Sequence, residues 1–89
     1  MLISLKNVIG KKVETKSGQT LGRVCDVYIN IDVQEIEQFE VKPDIIRGLM
    51  GKKLLIHRKQ VIEIRQDKII VEDGIVKQGK LVPAMDLDI

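Results

Sequence analysis

Apolar residues alternate with polar ones at a period of two along most of the chain, in short runs that end at turn-forming residues. This pattern is typical of β-strands that bury one face. It predicts six strands, at residues 11–16, 20–31, 36–42, 53–57, 61–65 and 68–72. Turn signals such as Ser17-Gly18 and Asp73-Gly74 separate neighbouring runs, so we expect a meander of antiparallel strands. A further hairpin through Gln78-Gly79 is left open.

The second predicted strand is long and irregular. Most of its apolar residues share one parity and are expected to be buried, namely Leu21, Cys25, Val27, Ile29 and Ile31. Gly22 beside the off-parity Val24 predicts a β-bulge or bend. Arg23 falls on the buried parity, where we expect its side chain to reach solvent and pair with Glu14 or Asp26. A bent strand among six short ones favours closure into a small all-β barrel, which leaves no exposed sheet edge.

The loop at residues 43–51 departs from the alternation. Pro43 suits the first turn of a helix, and Ile46, Leu49 and Met50 follow at helical spacing. The sequence therefore predicts a short helical turn in this loop, ending at Gly51.

Length and composition indicate one small soluble domain. The chain has 89 residues, 44% hydrophobic and 31% charged, which is enough for one modest core. We assign residues 1–82 to this domain and residues 83–89 to a short C-terminal tail. Tyr28 and Phe39 are the only aromatic residues, so the core is expected to consist of Ile, Val and Leu. No apolar run has the length of a membrane span or the form of a signal peptide, and we expect a cytoplasmic protein.

Charge is unevenly distributed along the sequence. The net charge is +2, yet no acidic residue occurs between Asp44 and Glu63, where five cations lie: Arg47, Lys52, Lys53, Arg58 and Lys59. This segment is either a solvated face or a docking surface, and a docking surface would bind an acidic protein patch or the phosphates of RNA. The segment lacks aromatic residues for base stacking, which places RNA second.

The apolar residues of the same segment also have two interpretations. Ile46, Leu49 and Met50 either plug one end of the barrel or form an exposed patch that contacts a partner or a second copy of the chain. Both interpretations are compatible with a homodimer, which we expect from this apolar loop and from the free edges of short strands.

The residues that usually carry catalysis are few. His57 is the only histidine and Cys25 the only cysteine, so a zinc site with four Cys or His ligands lacks candidates. Neither Ser4 nor Ser17 lies in the glycine pattern of a catalytic serine. An enzyme would have to depend on Arg23, Asp26 and His57, whose spacing does not support a shared site. We therefore expect no catalytic residues, no metal and no cofactor, and predict that the protein is not an enzyme.

The segment VIGKKVETKSGQTLGRVCDVYINIDVQEIEQFEV, followed by QVIEIRQDKIIV, resembles the PRC-barrel family. This family is named after the cytoplasmic domain of the photosynthetic reaction-centre H subunit and includes the C-terminal domain of a bacterial ribosome maturation factor. The resemblance extends from Leu5 to Asp73. The residues that carry it are Gly10-Lys11-Lys12-Val13, Gly18, Leu21-Gly22-x-Val24-x-Asp26-Val27, Val61-Ile62 and Ile69-Ile70-Val71.

The resemblance implies a six-stranded antiparallel barrel that serves as a protein-binding or assembly module, without cofactor or catalytic residues. Some archaeal relatives are linked to cell division. Residues 43–53 do not match the family pattern, so the feature specific to this protein is expected there. The predicted function is a non-enzymatic adaptor, in a cell-division or other macromolecular complex, that binds its partner through residues 47–59 and the apolar patch. The alternative is an RNA- or ribosome-associated factor that uses the same basic segment.

Overall fold

The computed structural model of the protein describes residues 1–43, 52–74 and 80–83. Most of the predicted helical turn, and with it Ile46, Arg47, Leu49 and Met50, lies outside the described residues. Pro43, predicted to begin that turn, is instead the last residue of a strand. The elements in these ranges are a short helix, seven strands and one 3-10 turn. In chain order they are α1 (Leu5–Val8), β1 (Lys12–Thr15), β2 (Thr20–Asn30), β3 (Glu35–Pro43), β4 (Lys52–His57), the 3-10 turn (Arg58–Gln60), β5 (Val61–Ile64), β6 (Lys68–Val71) and β7 (Lys80–Pro83).

The all-β prediction is confirmed, and each of the six predicted strands agrees with its observed counterpart to within one residue at either end. Strand β7 is a seventh strand, and it follows Gln78-Gly79, where the sequence allowed a further hairpin without deciding it. The short helix α1 was not predicted, because four residues are too few to show helical periodicity. It begins at Ser4, whose hydroxyl accepts a hydrogen bond from the Asn7 backbone N–H, and it buries Val8.

The strands form one sheet in the order β5-β6-β1-β2-β3-β4-β7. The prediction of a purely antiparallel sheet is wrong, since β1 and β6 pair in parallel, with Val13 opposite Ile69. The chain between these two strands includes β2 to β5 and is long enough for the crossover that parallel pairing requires.

The predicted closed barrel is also not observed. Within the described part of the chain, β5 and β7 lie at opposite edges of the sheet and do not pair with each other. Each of these strands has only four residues. Strand β5 pairs with β6, and strand β7 pairs with β4.

The predicted irregularity of β2 is confirmed, and it changes which face is buried. The register of β2 shifts against β1 near Gly22 and against β3 between Val24 and Asp26. Each extra residue reverses the parity that follows it. Val24 is therefore buried, and the second shift restores the predicted parity, so that Val27 packs against the core. Ile29 and Ile31, predicted to be buried, lie at the end of the β2–β3 hairpin and are exposed.

The predicted position and partners of Arg23 also need correction. This residue is exposed rather than on the buried face, and its Nη1 donates a hydrogen bond to the carbonyl oxygen of Gly10 over 3.0 Å.

The core is aliphatic, as the composition predicts, with Phe39 as its one aromatic member among the described residues. Strands β1 to β4, β6 and helix α1 contribute the buried side chains, namely Val8, Val13, Leu21, Val24, Phe39, Val41, Leu54, Ile56, Ile69 and Val71. Burying one such side chain contributes about 1.5–3 kcal/mol. The short edge strand β5 adds only the partly buried Val61. None of the described helices is long and apolar enough to cross a membrane.

Candidate functional site

Four of the five predicted cations fall within the described residues, on β4 and the 3-10 turn that follows it. We call Lys52, Lys53, Arg58 and Lys59 the β4 basic surface. Lys52 and Lys53 begin the strand and Arg58 and Lys59 follow its end, so the two pairs are separated by roughly 20 Å along an extended strand. The structure thus distributes these cations along β4 and does not gather them at one point.

The four cations have different surroundings. Lys52 and Lys59 are exposed. Lys53 points to the face of β4 opposite that of Lys52, and its ammonium lies 2.9 Å from Oε2 of Glu40. Arg58 forms a looser pair with Glu35, in which Nη1 and Oε2 are 3.4 Å apart and both side chains are about half exposed. The charge available to a partner is therefore concentrated at Lys52 and Lys59.

Glu40 is a buried carboxylate that the sequence analysis missed. The residue is only 2% exposed, and its two oxygens accept hydrogen bonds from three side chains. The Cys25 thiol lies 2.8 Å from Oε2, the Lys53 ammonium 2.9 Å from the same oxygen, and the Tyr28 hydroxyl donates to Oε1. We call these four residues the Glu40 cluster. It joins β2 and β3 to the start of β4 on the face opposite the core.

The irregularity of β2 explains why the sequence gives no direct signal for this cluster. Cys25 and Tyr28 are three positions apart, so a regular strand would place them on opposite faces. The register shift between Val24 and Asp26 leaves Cys25 as the extra residue beside Glu40. On β3, Glu40 lies between the buried Phe39 and Val41, at a parity that normally faces solvent. Only the bulge position could have indicated the cluster.

Hydrogen bonding to the Glu40 carboxylate shifts the pKa of each group in the cluster. Burial opposes ionisation of Glu40, but the three hydrogen bonds outweigh it and hold its pKa below the ordinary value. Burial and the bond to Glu40 raise the pKa of Cys25 to about 11. The same carboxylate raises the pKa of Tyr28 and of Lys53. At neutral pH the cluster contains an ionised Glu40–Lys53 pair and a neutral thiol, which is a poor nucleophile.

Arg23, Asp26 and His57 do not converge on a common point. Arg23 binds the Gly10 carbonyl, the carboxylate of Asp26 accepts from the neighbouring Val27 N–H, and Nδ1 of His57 accepts from the Lys59 N–H at the start of the 3-10 turn. Each side chain thus binds a different backbone group, and only those of Asp26 and His57 bind their own local backbone. Among the described residues no group of three or more His, Cys, Asp or Glu could hold a metal ion.

These features define a small β domain with an aliphatic core, a bulged long strand and a buried carboxylate beside a basic strand. The chain belongs to the PRC-barrel family, since the family model for the PRC-barrel domain matches residues 1–77. The family resemblance inferred from the glycine and strand motifs is thereby confirmed. No curated protein matches the chain.

Proposed function

We propose that this PRC-barrel domain is a non-enzymatic adaptor that binds an acidic surface of a protein partner within a larger complex, such as one for cell division. The observation that carries the proposal is the β4 basic surface, which lies in a segment with no acidic residue between Asp44 and Glu63. Lys52 and Lys59 present exposed ammonium groups from this segment. Complementary charge accelerates protein association and selects against wrong partners.

The Glu40 cluster supports this role by fixing β4 in place. Lys53 of β4 pairs with Glu40 of β3, which in turn accepts hydrogen bonds from side chains of β2. The strand that presents Lys52 is therefore held to β3 by an ion pair as well as by backbone pairing. Arg47, Ile46, Leu49 and Met50 belong to the proposed surface by their place in the sequence. The polar cluster thus gives a pre-organised platform for binding.

Reversing the charge of Lys52 and Lys59 together is expected to abolish most partner capture. The double variant K52E/K59E removes the two exposed ammonium groups and repels an acidic surface. The measurement is quantitative mass spectrometry of proteins retained by the tagged domain from lysate of its own source. The matched control, K6E/K16E, reverses two exposed lysines elsewhere and lowers the net charge by the same amount. Equal loss of partners in both variants would contradict the proposed surface.

An RNA- or ribosome-associated factor is the second candidate, and the acid-free basic segment favours it as well. Its binding would fall steeply with salt, with a log-log slope of about −0.7 for each phosphate neutralised on a single strand. Two observations support the protein partner instead. Lys53 and Arg58 are already paired with carboxylates, and residues 44–63 contain no aromatic side chain for base stacking.

We further propose that the domain forms a homodimer. The end of the β2–β3 hairpin carries exposed aliphatic side chains, including Ile29, Ile31 and Val33 at 56%, 82% and 58% exposure. Exposed aliphatic patches often mark interfaces, and a two-fold axis would bring this patch against the same patch of a second copy. Light scattering is expected to give twice the chain mass of 10.1 kDa, and I31N is expected to return the protein to the monomer. A monomeric wild type would contradict the dimer.

A further inference from the structure

A cleft of about 650 Å³ lies beneath the N-terminal segment, on the side of the sheet where β5 turns into β6. Leu2, Ile3 and Ile64 supply apolar walls, and Lys11, Arg65 and Gln66 supply polar groups. None of the described residues that line the cleft is acidic. A volume of about 300–1,000 Å³ with apolar walls and a few polar groups is typical of a binding site.

Lys11 gives the cleft its charge. The residue is 8% exposed, and its ammonium donates to the backbone carbonyl oxygen of Gln66. None of the ion pairs within residues 1–43 and 52–74 includes Lys11. A buried ammonium has three N–H donors and is costly to keep without a negative partner. A carboxylate that enters the cleft would supply that partner.

The edge of the sheet extends the cleft. Ile64 belongs to β5, whose strand partner within the described residues is β6, so the opposite edge of β5 presents backbone groups to a further strand. Ile62 and Ile64 are 50% and 45% exposed. Extended peptides bind such edges through backbone hydrogen bonds, and side-chain pockets select their sequence.

A second cation lies where β5 ends. The guanidinium of Arg65 uses Nε to pair with Glu63 at 3.1 Å, and a guanidinium has further N–H groups that can bind a carboxylate. The chemistry of the cleft and its edge thus combines two cations, apolar walls and a strand edge with which no other described strand pairs.

We propose that this cleft binds an extended peptide segment of a partner protein in which acidic residues alternate with apolar ones. Its backbone adds to the edge of β5 that faces away from β6, its apolar side chains cover Ile62 and Ile64, and a carboxylate pairs with Lys11 and Arg65. The site is distinct from the β4 basic surface and does not depend on the function proposed for that surface. The domain then has two places at which partners bind.

The test is an NMR titration of the ¹⁵N-labelled protein with two peptides, acetyl-LDLEL-amide and its neutral counterpart acetyl-LNLQL-amide. The acidic peptide is expected to shift the backbone amides of residues 62–66 and of Lys11. It should also bind at least about tenfold more tightly than the neutral peptide, because it adds charge-assisted hydrogen bonds. Equal affinities, or shifts confined to other parts of the domain, would overturn the proposal.

Variants identify the residue responsible for binding the carboxylates of the acidic peptide. K11M keeps an apolar stem of similar length and removes the ammonium, so it is expected to bind the acidic peptide at least about tenfold more weakly. K12M is the matched control, because Lys12 is 43% exposed and pairs with Glu14. If K11M does not fold, R65Q at an exposed position is expected to weaken binding several-fold. Full affinity in R65Q, or equal affinity in K11M and K12M, would overturn the assignment.

An NMR titration with octanoate distinguishes a peptide-binding site from a site for a small carboxylic acid. Octanoate that shifts the cleft amides while the acidic peptide does not would overturn the peptide proposal. The K52E/K59E variant keeps the cleft intact and is expected to bind the acidic peptide as the wild type does. Failure of the adaptor proposal and failure of the cleft proposal are therefore distinguished by separate measurements.

Discussion

Replacing Gly22 with alanine is expected to destabilise the domain by about 3 kcal/mol or more, at the upper end of what overpacking usually costs. A Cβ at this position would collide with the carbonyl group of Lys42 and would lie 2.9 Å from Cα of Pro43. Both are backbone atoms of β3, paired directly with this part of β2, so no side chain can rotate away to relieve the collision. Gly22 also has φ of +154°, which side-chain-bearing residues rarely adopt.

Gly18→Ala is the matched control for this prediction. Gly18 has φ of +99°, but a Cβ there would meet no atom within 4 Å. Its expected cost is the backbone strain alone, about 1 kcal/mol. Urea denaturation of both variants measures the difference. A domain of this size has a total stability of about 5–10 kcal/mol, so G22A should shift the midpoint strongly. Equal midpoints for the two variants would show that the β2–β3 pairing at Gly22 differs from the one described.

Replacing Glu40 with alanine is expected to reduce the free energy of unfolding by about 2 kcal/mol, because the thiol of Cys25 and the hydroxyl of Tyr28 lose their acceptor. Lys53 loses its counter-ion as well. Glu35→Ala is the control, since Glu35 lies on the same strand but its pair with Arg58 is exposed and should contribute less than about 1 kcal/mol. Thermal denaturation that ranks the two variants equally would contradict the structural role of the cluster.

The Glu40 cluster also determines how the stability of the domain changes with pH. The pKa of Glu40 is lowered by folding, so its contribution is present above the unfolded-state pKa and is lost as the pH falls through the folded-state value. The pKa of Cys25 is raised from 9.0 to about 11, so stability falls as the pH rises through this range. In E40Q the neutral amide removes the charge that opposes ionisation of the Cys25 thiol. The loss of folding stability across the pH range set by the two Cys25 pKa values is therefore expected to be smaller in E40Q than in the wild type.

Strand positions were predictable from the sequence because the signal is local. Alternation between turn residues predicted six strands to within one residue, and Gly22 beside Val24 predicted the bulge. The consequence of the bulge was not predictable to the same degree. The first register shift brought the off-parity Val24 into the core, and the second restored the predicted parity, so that Val27 packs against the core. Ile29 and Ile31 share that parity but lie at the end of the hairpin, where they are exposed.

Two kinds of feature could not be predicted in the same way: the pairing of strands that are distant in sequence, and the polar contacts that are buried. The parallel contact of β1 with β6 joins residues more than fifty positions apart, and no turn residue signals it. The Glu40 cluster depends on which side of an irregular strand Cys25 and Tyr28 occupy. The basic segment was recognisable from charge alone, but the different surroundings of Lys52 and Lys53 follow from the alternation of β4 and the position of Glu40 on its neighbour.

The central claim is that the domain binds a protein rather than a nucleic acid. The most direct measurement is a pull-down with the tagged wild-type domain from lysate of its own source, half of it treated with nuclease, read by quantitative mass spectrometry. The adaptor proposal predicts that the same one or two proteins appear in both halves and that K52E/K59E loses them. A bound set that is ribosomal and disappears with nuclease would contradict the adaptor and make the basic surface a phosphate-binding site.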